Sequence, residues 1–216
     1  FYNLASVQVM QAVGNYLYAG MGNAAGSSVV WQWDGTRWSL MGGQGVNGSW
    51  APNTYETVLG MANYKGNLYV GLGTTANATE NDGEVWMWNG STWSKVGGDG
   101  VNSSWPFSAS HYGEVDALAA DKDYLYAGLG AGSTDGEVWR YNGSTWTKIG
   151  GDSLNGGWTN YVENIYSMGF FRGNLVVGLG RSVGDDEVWQ WNGSAWTKIG
   201  GDGLNSGWTG SYSVES

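Results

Sequence analysis

The sequence predicts an all-β protein assembled from four copies of one repeat. Glycine makes up 39 of the 216 residues and opposes helix, because it is among the poorest helix formers. No window shows a convincing helical period. Three short motifs recur four times in the same order along the chain. These observations together favour short strands joined by tight turns.

The first strand of each unit, strand a, is a four-residue apolar segment. Its copies are VQVM (7–10), VLGM (58–61), VDAL (115–118) and IYSM (165–168). Strand b has aliphatic residues at alternate positions, which is the strand period. Its copies are NYLYAGMG (15–22), GNLYVGLG (66–73), DYLYAGLG (123–130) and GNLVVGLG (173–180).

Strands c and d form a tryptophan-rich hairpin around an Asn-Gly or Asp-Gly pair, which is a strong hairpin signal. Its copies are VVWQWDGTRW (29–38), EVWMWNGSTW (84–93), EVWRYNGSTW (137–146) and EVWQWNGSAW (187–196). A two-residue turn at Asn89-Gly90 would place Trp86 opposite Trp93 and Glu84 opposite Lys95. Glu137 and Glu187 have lysines at the same offset, and the first unit replaces both charges by Val29 and Leu40. Such joint replacement predicts that these glutamates are structural members of cross-strand pairs.

Four-strand units of this length, repeated around an axis, are typical of β-propeller blades. The fold prediction is a single all-β domain over 1–216, a β-propeller of four repeats of about 50–55 residues with four antiparallel strands each. The repeats are approximately 1–52, 53–107, 108–159 and 160–216. We expect a closed four-bladed disc. The alternative is a larger ring completed by a second chain or by further repeats, in which case tryptophan-rich blade faces would be left open and dimerisation or aggregation should follow.

The pattern GEVWxxNGSTWxKxGGDGxNSxW resembles repeats of secreted bacterial β-propeller proteins, many of them of unknown function. The resemblance covers about residues 7 to 210 and implies a secreted or cell-surface location. The plan of short blades is also similar to that of tachylectin-type lectins, which implies one sugar site per blade interface. That second likeness rests on architecture, so it assigns no residue.

Composition excludes several classes of partner and chemistry. The formal net charge is -10, so nucleic acid is a poor partner, since it needs a basic surface. No apolar run is long enough to insert into a membrane as a helix. The chain has no Cys and one His, which is His111, and it carries no P-loop, dinucleotide or zinc-protease motif. We therefore expect no enzyme and no catalytic residue.

The loop after strand d is the candidate ligand site. Each copy combines an acid or amide, an Asn and a Trp in a glycine-rich segment, and these types supply hydrogen bonds to sugar hydroxyls and a flat face for stacking. The candidate residues are Gln44, Asn47, Trp50, Asp99, Asn102, Trp105, Asp152, Asn155, Trp158, Asp202, Asn205 and Trp208. The competing interpretation is that the Trp residues pack between blades and that the polar residues hold turns.

The sequence therefore favours a multivalent carbohydrate-binding or adhesion module that binds glycans or a cell-surface protein. Four weak sites on one scaffold would act through avidity. The alternative is a scaffold for protein–protein interaction without a small ligand, whose partner would contact the variable loops 74–81 and 107–112. No cofactor is expected, although one acid per loop leaves Ca²⁺ open as a weakly held ion. In solution the chain would be a monomer or an assembly that completes a larger ring.

Overall fold

The computed structural model describes residues 6–24, 26–52, 54–73, 83–106, 112–130, 136–159, 164–180 and 186–208. In these residues the chain forms four consecutive antiparallel sheets of four strands, which confirms the predicted all-β fold. The first blade comprises β1 (Ser6–Val13), β2 (Tyr16–Gly22), β3 (Val29–Trp33) and β4 (Trp38–Gly42). The second comprises β5 (Thr57–Tyr64), β6 (Asn67–Gly73), β7 (Glu84–Trp88) and β8 (Trp93–Gly97). The third comprises β9 (Glu114–Ala120), β10 (Leu125–Gly130), β11 (Val138–Tyr141) and β12 (Trp146–Gly150). The fourth comprises β13 (Ile165–Phe171), β14 (Asn174–Leu179), β15 (Glu187–Trp191) and β16 (Trp196–Gly200).

The strand order within each blade follows the chain, so that each strand pairs with the next one. Backbone pairs also link neighbouring blades, between Gly22 and Thr57 and between Gly73 and Glu114. After each fourth strand the chain makes a short 3₁₀ turn, at Val46–Gly48, Val101–Ser103, Leu154–Gly156 and Leu204–Ser206. The predicted strands a to d are therefore confirmed.

The register of the outer hairpin differs from the prediction. Trp88 pairs with Trp93 and Trp86 pairs with Lys95, with a bulge next to Val85. The reason is the turn: a two-residue type I′ turn needs positive φ at both central residues, and of Asn89 and Gly90 only the glycine has it, at 97°. The loop instead spans four residues and is held by the Asn89 side chain, whose Oδ1 accepts from the Ser91 and Thr92 amides. Glu84 and Lys95 nevertheless form the expected ion pair.

The core lies between blades as three apolar clusters, one at each of the three internal interfaces. Glycines on the second strand of a blade leave room for the first strand of the next blade. A Cβ at Gly71 would lie 2.7 Å from Val115, and one at Gly128 would lie 2.6 Å from Ile165. Such close approach requires glycine and explains the repeated Gly-x-Gly of strand b.

In the described part of the chain the four blades do not close into a disc, and that expectation is wrong. The inner strands β1, β5, β9 and β13 pack in sequence, but among the described residues no comparable packing joins β13 to β1. Val7 on β1 is 52% exposed, while its equivalents Val58, Val115 and Ile165 are completely buried. Within the described residues the first and fourth blades each have one uncovered face, as the larger-ring alternative requires.

Candidate functional site

The loops that carry the predicted site residues are tightly closed turns. In each loop the Asn has φ near 55°, and its Nδ2 donates to a carbonyl six residues earlier. Such a bond satisfies a strand-end carbonyl and fixes the loop. The four pairs are Asn47 with Met41, Asn102 with Val96, Asn155 with Ile149, and Asn205 with Ile199. The amides therefore have a turn-stabilising role in all four blades.

The loop tryptophans do not offer a face to a ligand in the first three blades. Trp50, Trp105 and Trp158 are at most 3% exposed, and each donates its indole N–H to a backbone carbonyl of its own blade, at 2.8, 2.7 and 2.5 Å. Each ring also contacts two tryptophans of the next blade edge to face, with centroids 5.0 to 5.9 Å apart. The stacking role predicted for these three residues is therefore wrong, because the next blade covers the rings. Trp208 alone is 48% exposed.

The loop aspartates are members of charged triads. Lys95 pairs with Asp99 at 2.5 Å and also with the buried Glu84. The other blades repeat the arrangement with Lys148 between Asp152 and Glu137, and Lys198 between Asp202 and Glu187. In the first blade Gln44 instead donates to the Gly26 carbonyl at 2.6 Å. The acids thus hold the loop against the hairpin.

Each triad is extended by a tryptophan of the third strand. Trp86 Nε1 donates to Glu84 Oε2 at 2.6 Å, and the third and fourth blades have the same bond. Burial by itself would lower the pKa of Lys95, but the hydrogen bonds and charges of Asp99 and Glu84 outweigh it and raise that pKa. The lysine therefore stays charged at neutral pH, and the triad is an electrostatic clamp.

The first blade lacks this clamp. Val29 replaces the glutamate and Leu40 the lysine. As a consequence Trp31 Nε1 is buried without a hydrogen-bond partner among the described residues. Buried polar atoms of this kind are rare and destabilising. The first blade, which has one of the two open faces, therefore also contains the one buried indole N–H without a partner among the described residues.

The described residues contain no group of three or more His, Asp or Glu side chains arranged to hold a metal ion. Since Asp99, Asp152 and Asp202 are each paired with a lysine, they are poor ligands for Ca²⁺, which prefers several oxygens. His111 lies outside the described residues, as do positions 74–81 and most of 107–112. No helix in the described part of the chain has the length and apolarity to span a bilayer.

Open grooves lie instead at the other end of the blade interfaces, beside the turns between the first and second strands. The larger groove has a volume of about 350 Å³ and lies between the third and fourth blades. Its wall includes the Tyr124 ring, which the Arg140 guanidinium covers at 4.3 Å, and the Phe170 ring, which contacts Tyr126. Asp121 Oδ2 accepts from the Tyr126 hydroxyl at 3.1 Å. Burial, with the nearby Asp121 charge, raises the pKa of Tyr126, so this phenol remains a neutral donor.

An equivalent groove of about 270 Å³ lies between the first and second blades. Tyr16, 44% exposed, and the buried Tyr18 form an aromatic wall, with Asn67 opposite. Between the second and third blades this position is occupied. Tyr64 donates to the Asp123 carbonyl at 2.7 Å, and Lys65 Nζ lies 3.4 Å from the Asn142 carbonyl.

The sequence analysis missed these grooves, although the repeat contains a signal for them. The second position of the strand b motif is Tyr16 and Tyr124 in the first and third units, but Asn67 and Asn174 in the second and fourth. Each open groove pairs a tyrosine unit with the asparagine unit that follows it. Alternation between odd and even units is visible only when the repeats are compared at that one position.

Comparison with solved structures identifies the architecture as a β-propeller. The structure is similar to U3-55K (TM-score 0.57, 13% identity), to the WD40 β-propeller domain of Doa1 (0.50, 10%) and to a variant of Aleuria aurantia lectin in complex with Fucα1-6GlcNAc (0.51, 18%). The matches cover 93%, 92% and 88% of this chain but 53%, 55% and 59% of those chains. The chain thus spans a little over half the length of these proteins. No protein-family model and no curated protein sequence matches it.

Proposed function

We propose that the protein is a carbohydrate-binding propeller whose sugar sites are the grooves between blades. The observation that carries this proposal is the pair of equivalent open grooves, each lined by aromatic rings beside hydrogen-bonding side chains. Pyranoses present hydroxyls at their edges and C–H groups on their faces, so a site for them combines donors and acceptors with an aromatic surface. A lectin is among the similar structures, which supports a propeller of this kind but assigns no residue.

The groove between the third and fourth blades has the richer chemistry. Arg140 supplies N–H donors, Asp121 and Asn174 supply acceptors, and Phe170 supplies an exposed apolar ring. The Asp121 carboxylate is held in place because its Oδ1 accepts from the amides of Asp123 and Tyr124 at 2.8 and 2.7 Å. A preorganised acceptor of this kind loses little entropy on binding. Two such grooves on one chain would make binding multivalent.

A glycan array, run with and without Ca²⁺, tests this function. We expect binding to one class of sugar. Tyr124→Ala and Tyr16→Ala should each weaken this binding, because each removes the aromatic ring from the wall of one groove, and the double variant should not bind. Leu154→Ala is the matched control, since Leu154 is 37% exposed on a loop outside both grooves. Circular dichroism and the urea midpoint verify that each variant is folded. The proposal would be overturned if the folded chain bound no sugar on the array, or if Leu154→Ala reduced sugar binding as much as the tyrosine variants do.

An interaction scaffold is the second candidate function. It is favoured by the apolar residues exposed on the open faces of the first and fourth blades. In either case the glutamates and loop aspartates of the clamps are engaged by lysines, which supports a binding protein rather than a hydrolase. A secreted or surface location, and membership of the secreted bacterial propeller repeats, belong to the same proposal.

A further inference from the structure

We propose that two copies of this chain assemble head to tail into one ring, with the open face of the fourth blade against the open face of the first blade of the other copy. The two faces are the complementary halves of an interface that occurs three times inside the chain. The chain itself therefore supplies an occupant for each open face, with the residues that pair at the internal interfaces.

The tryptophans define the missing interface. At every internal interface a loop tryptophan contacts the third-strand and fourth-strand tryptophans of the next blade. Among the described residues, the members of this series that contact no tryptophan of a neighbouring blade are Trp208 on the fourth blade, and Trp31 and Trp38 on the first. Trp208 is 48% and Trp38 is 44% exposed, whereas every equivalent of either is at most 4% exposed.

A recurring hydrogen bond fixes the register of the contact. The fourth-strand tryptophan donates its indole N–H to a fourth-strand carbonyl of the preceding blade, from Trp93 to Met41, Trp146 to Val96 and Trp196 to Ile149, at 2.7 to 2.8 Å. Continuing the series, Trp38 would donate to the Ile199 carbonyl of the other copy. The remaining loop geometry is already in place, because Trp208 donates to the Asp186 carbonyl at 2.8 Å as its equivalents do.

The inner strands show the same complementarity. Beside Gly20, Gly71 and Gly128 the space is filled by Val58, Val115 and Ile165 of the next blade. At Gly178 the only described neighbour within 4 Å of an added Cβ is Ser167 of the same blade. Val7, 52% exposed, is the side chain that would fill this space.

A basic residue that reaches the next blade also recurs at the open face. At the second interface Lys65 Nζ lies 3.4 Å from the Asn142 carbonyl. The equivalents at the open faces are Arg172 and Asp34. The first blade therefore has an acid where the other three have Asn89, Asn142 and Asn192. Asp34 already lies 3.7 Å from Arg37 of its own hairpin, and Arg172 of the other copy would add a second cation beside it.

The alternation of the repeats favours a ring of two copies. Grooves are open at the first and third interfaces and filled by Tyr64 and Lys65 at the second. Phe171 and Arg172 occupy the corresponding positions of the fourth blade, so the new interfaces would be of the filled type. Odd and even blades would then alternate without a break around eight blades, within the four to eight that propellers use. Identical head-to-tail contacts close into a ring when the rotation permits.

Light scattering during size exclusion, over a hundredfold range of protein concentration, tests the assembly. We expect one species of twice the 23.1 kDa chain mass. Trp208→Asp and Trp38→Asp should each weaken association by about 30-fold or more, as loss of a buried interface tryptophan does. Leu154→Asp, on an exposed loop, is the control and should leave the dimer intact. Both tryptophans are exposed in the single chain, so the variants should keep the wild-type circular dichroism.

Mixing the two variants separates this arrangement from nonspecific association. A Trp208→Asp copy and a Trp38→Asp copy have one intact interface between them, so their mixture should form a 1:1 dimer at concentrations at which each variant alone is mainly a monomer. Arg172→Asp should weaken the dimer, because it places an acid beside Asp34 of the other copy, whereas Arg172→Lys should preserve it. A monomer at all concentrations, an open ladder of masses, or a mixture that fails to dimerise would overturn the proposal.

Discussion

At the scale of single residues, the same amino acid has different roles because its neighbours differ. Trp105 is covered by the next blade and is a packing residue, whereas Trp208, at the same repeat position, is covered by no other blade among the described residues and is half exposed. Glu84 is buried and would be an unfavourable charge by itself, but Lys95 and Trp86 satisfy both of its oxygens. Burial of an ion pair is tolerated only when such partners are present.

The clamp of the second blade gives a prediction at this scale. Lys95→Leu should lower the free energy of unfolding by about 3 kcal/mol, because it leaves the buried Glu84 carboxylate unpaired. Adding Glu84→Val recreates the Val29 and Leu40 pair of the first blade and should restore about half or more of the loss. Trp86 would then lack an acceptor, as Trp31 does, which accounts for a residual cost of about 1–2 kcal/mol.

Urea unfolding of the wild type, both single variants and the double variant measures this cycle. The expected result is a coupling between the two positions, with the double variant more stable than Lys95→Leu. If the double variant were destabilised by the sum of the two single changes, Glu84 and Lys95 would contribute independently, and the ion pair between them would add nothing to the free energy of unfolding.

At the scale of elements, the outer hairpins depend on one side chain in each turn. Asn142 Oδ1 accepts from the Ser144 and Thr145 amides at 2.8 and 2.9 Å. Asp34 makes the same bonds in the first blade, and the Thr36 hydroxyl together with the Arg37 and Thr36 amides lowers the pKa of its carboxyl to about 2. The turn accepts either residue because it uses only an acceptor oxygen.

This turn gives a prediction with a defined pH dependence. Asn142→Ala should lower the free energy of unfolding by about 1 kcal/mol, since two amides lose their acceptor. Asn142→Asp should behave like the wild type at neutral pH. Because the folded pKa of such an acid lies below its unfolded value of 3.8, the stabilisation is complete above pH 3.8 and is lost as the pH falls toward 2.

Urea midpoints of the three proteins at pH 7 and at pH 2.5 check this. The wild type serves as the control for acid effects elsewhere, since its Asn142 does not titrate. An Asp variant that followed the wild type at both pH values, or an Ala variant as stable as the wild type, would contradict the role given to this side chain.

The sequence predicted those elements that depend on interactions between residues close together in the chain. All four strands of each blade could be predicted, because alternation, glycine and the Asn-Gly turn are local signals. The exact hairpin register could not, because Asn89 adopts a side-chain-capped loop that the dipeptide alone does not distinguish from a type I′ turn. The stacking role predicted for Trp50, Trp105 and Trp158 was wrong for a different reason: whether a tryptophan such as Trp105 faces solvent depends on the blade that follows it.

At the scale of the whole molecule, stability is distributed over the interfaces between blades. Each internal interface contains a three-tryptophan contact and an indole-to-carbonyl hydrogen bond. The two end faces carry the equivalent tryptophans, which are half exposed because no other described blade covers them. Repeats of this kind are stabilised mainly by their neighbours, so the end faces are also where the molecule would associate.

Trp105→Ala and Trp208→Ala test this difference at equivalent positions. Both are best compared in the Trp38→Asp background, which removes the proposed association. Trp105→Ala should lower the free energy of unfolding by about 4 kcal/mol, because it opens a cavity between two blades. Trp208→Ala should cost about 1 kcal/mol or less, because the ring lies on an open face.

Thermal and urea unfolding followed by circular dichroism provide the measurement. If both variants lost the same free energy of unfolding, the contribution of this tryptophan to stability would be set by its position in the repeat and not by the neighbouring blade. A folded and fully stable Trp105→Ala protein would reopen the stacking role that the buried ring excludes.

The sequence by itself determined the all-β fold, the four units, the strands within them and the Glu84–Lys95 type of ion pair, because these follow from local patterning and from comparison of the repeats. Only the tertiary structure decided that Trp50, Trp105 and Trp158 are covered, that grooves open at two of the three interfaces, and that the first and last faces remain apart. The physical reason is that these features depend on the angle and distance between blades, which arise from packing across interfaces and are encoded in no single repeat.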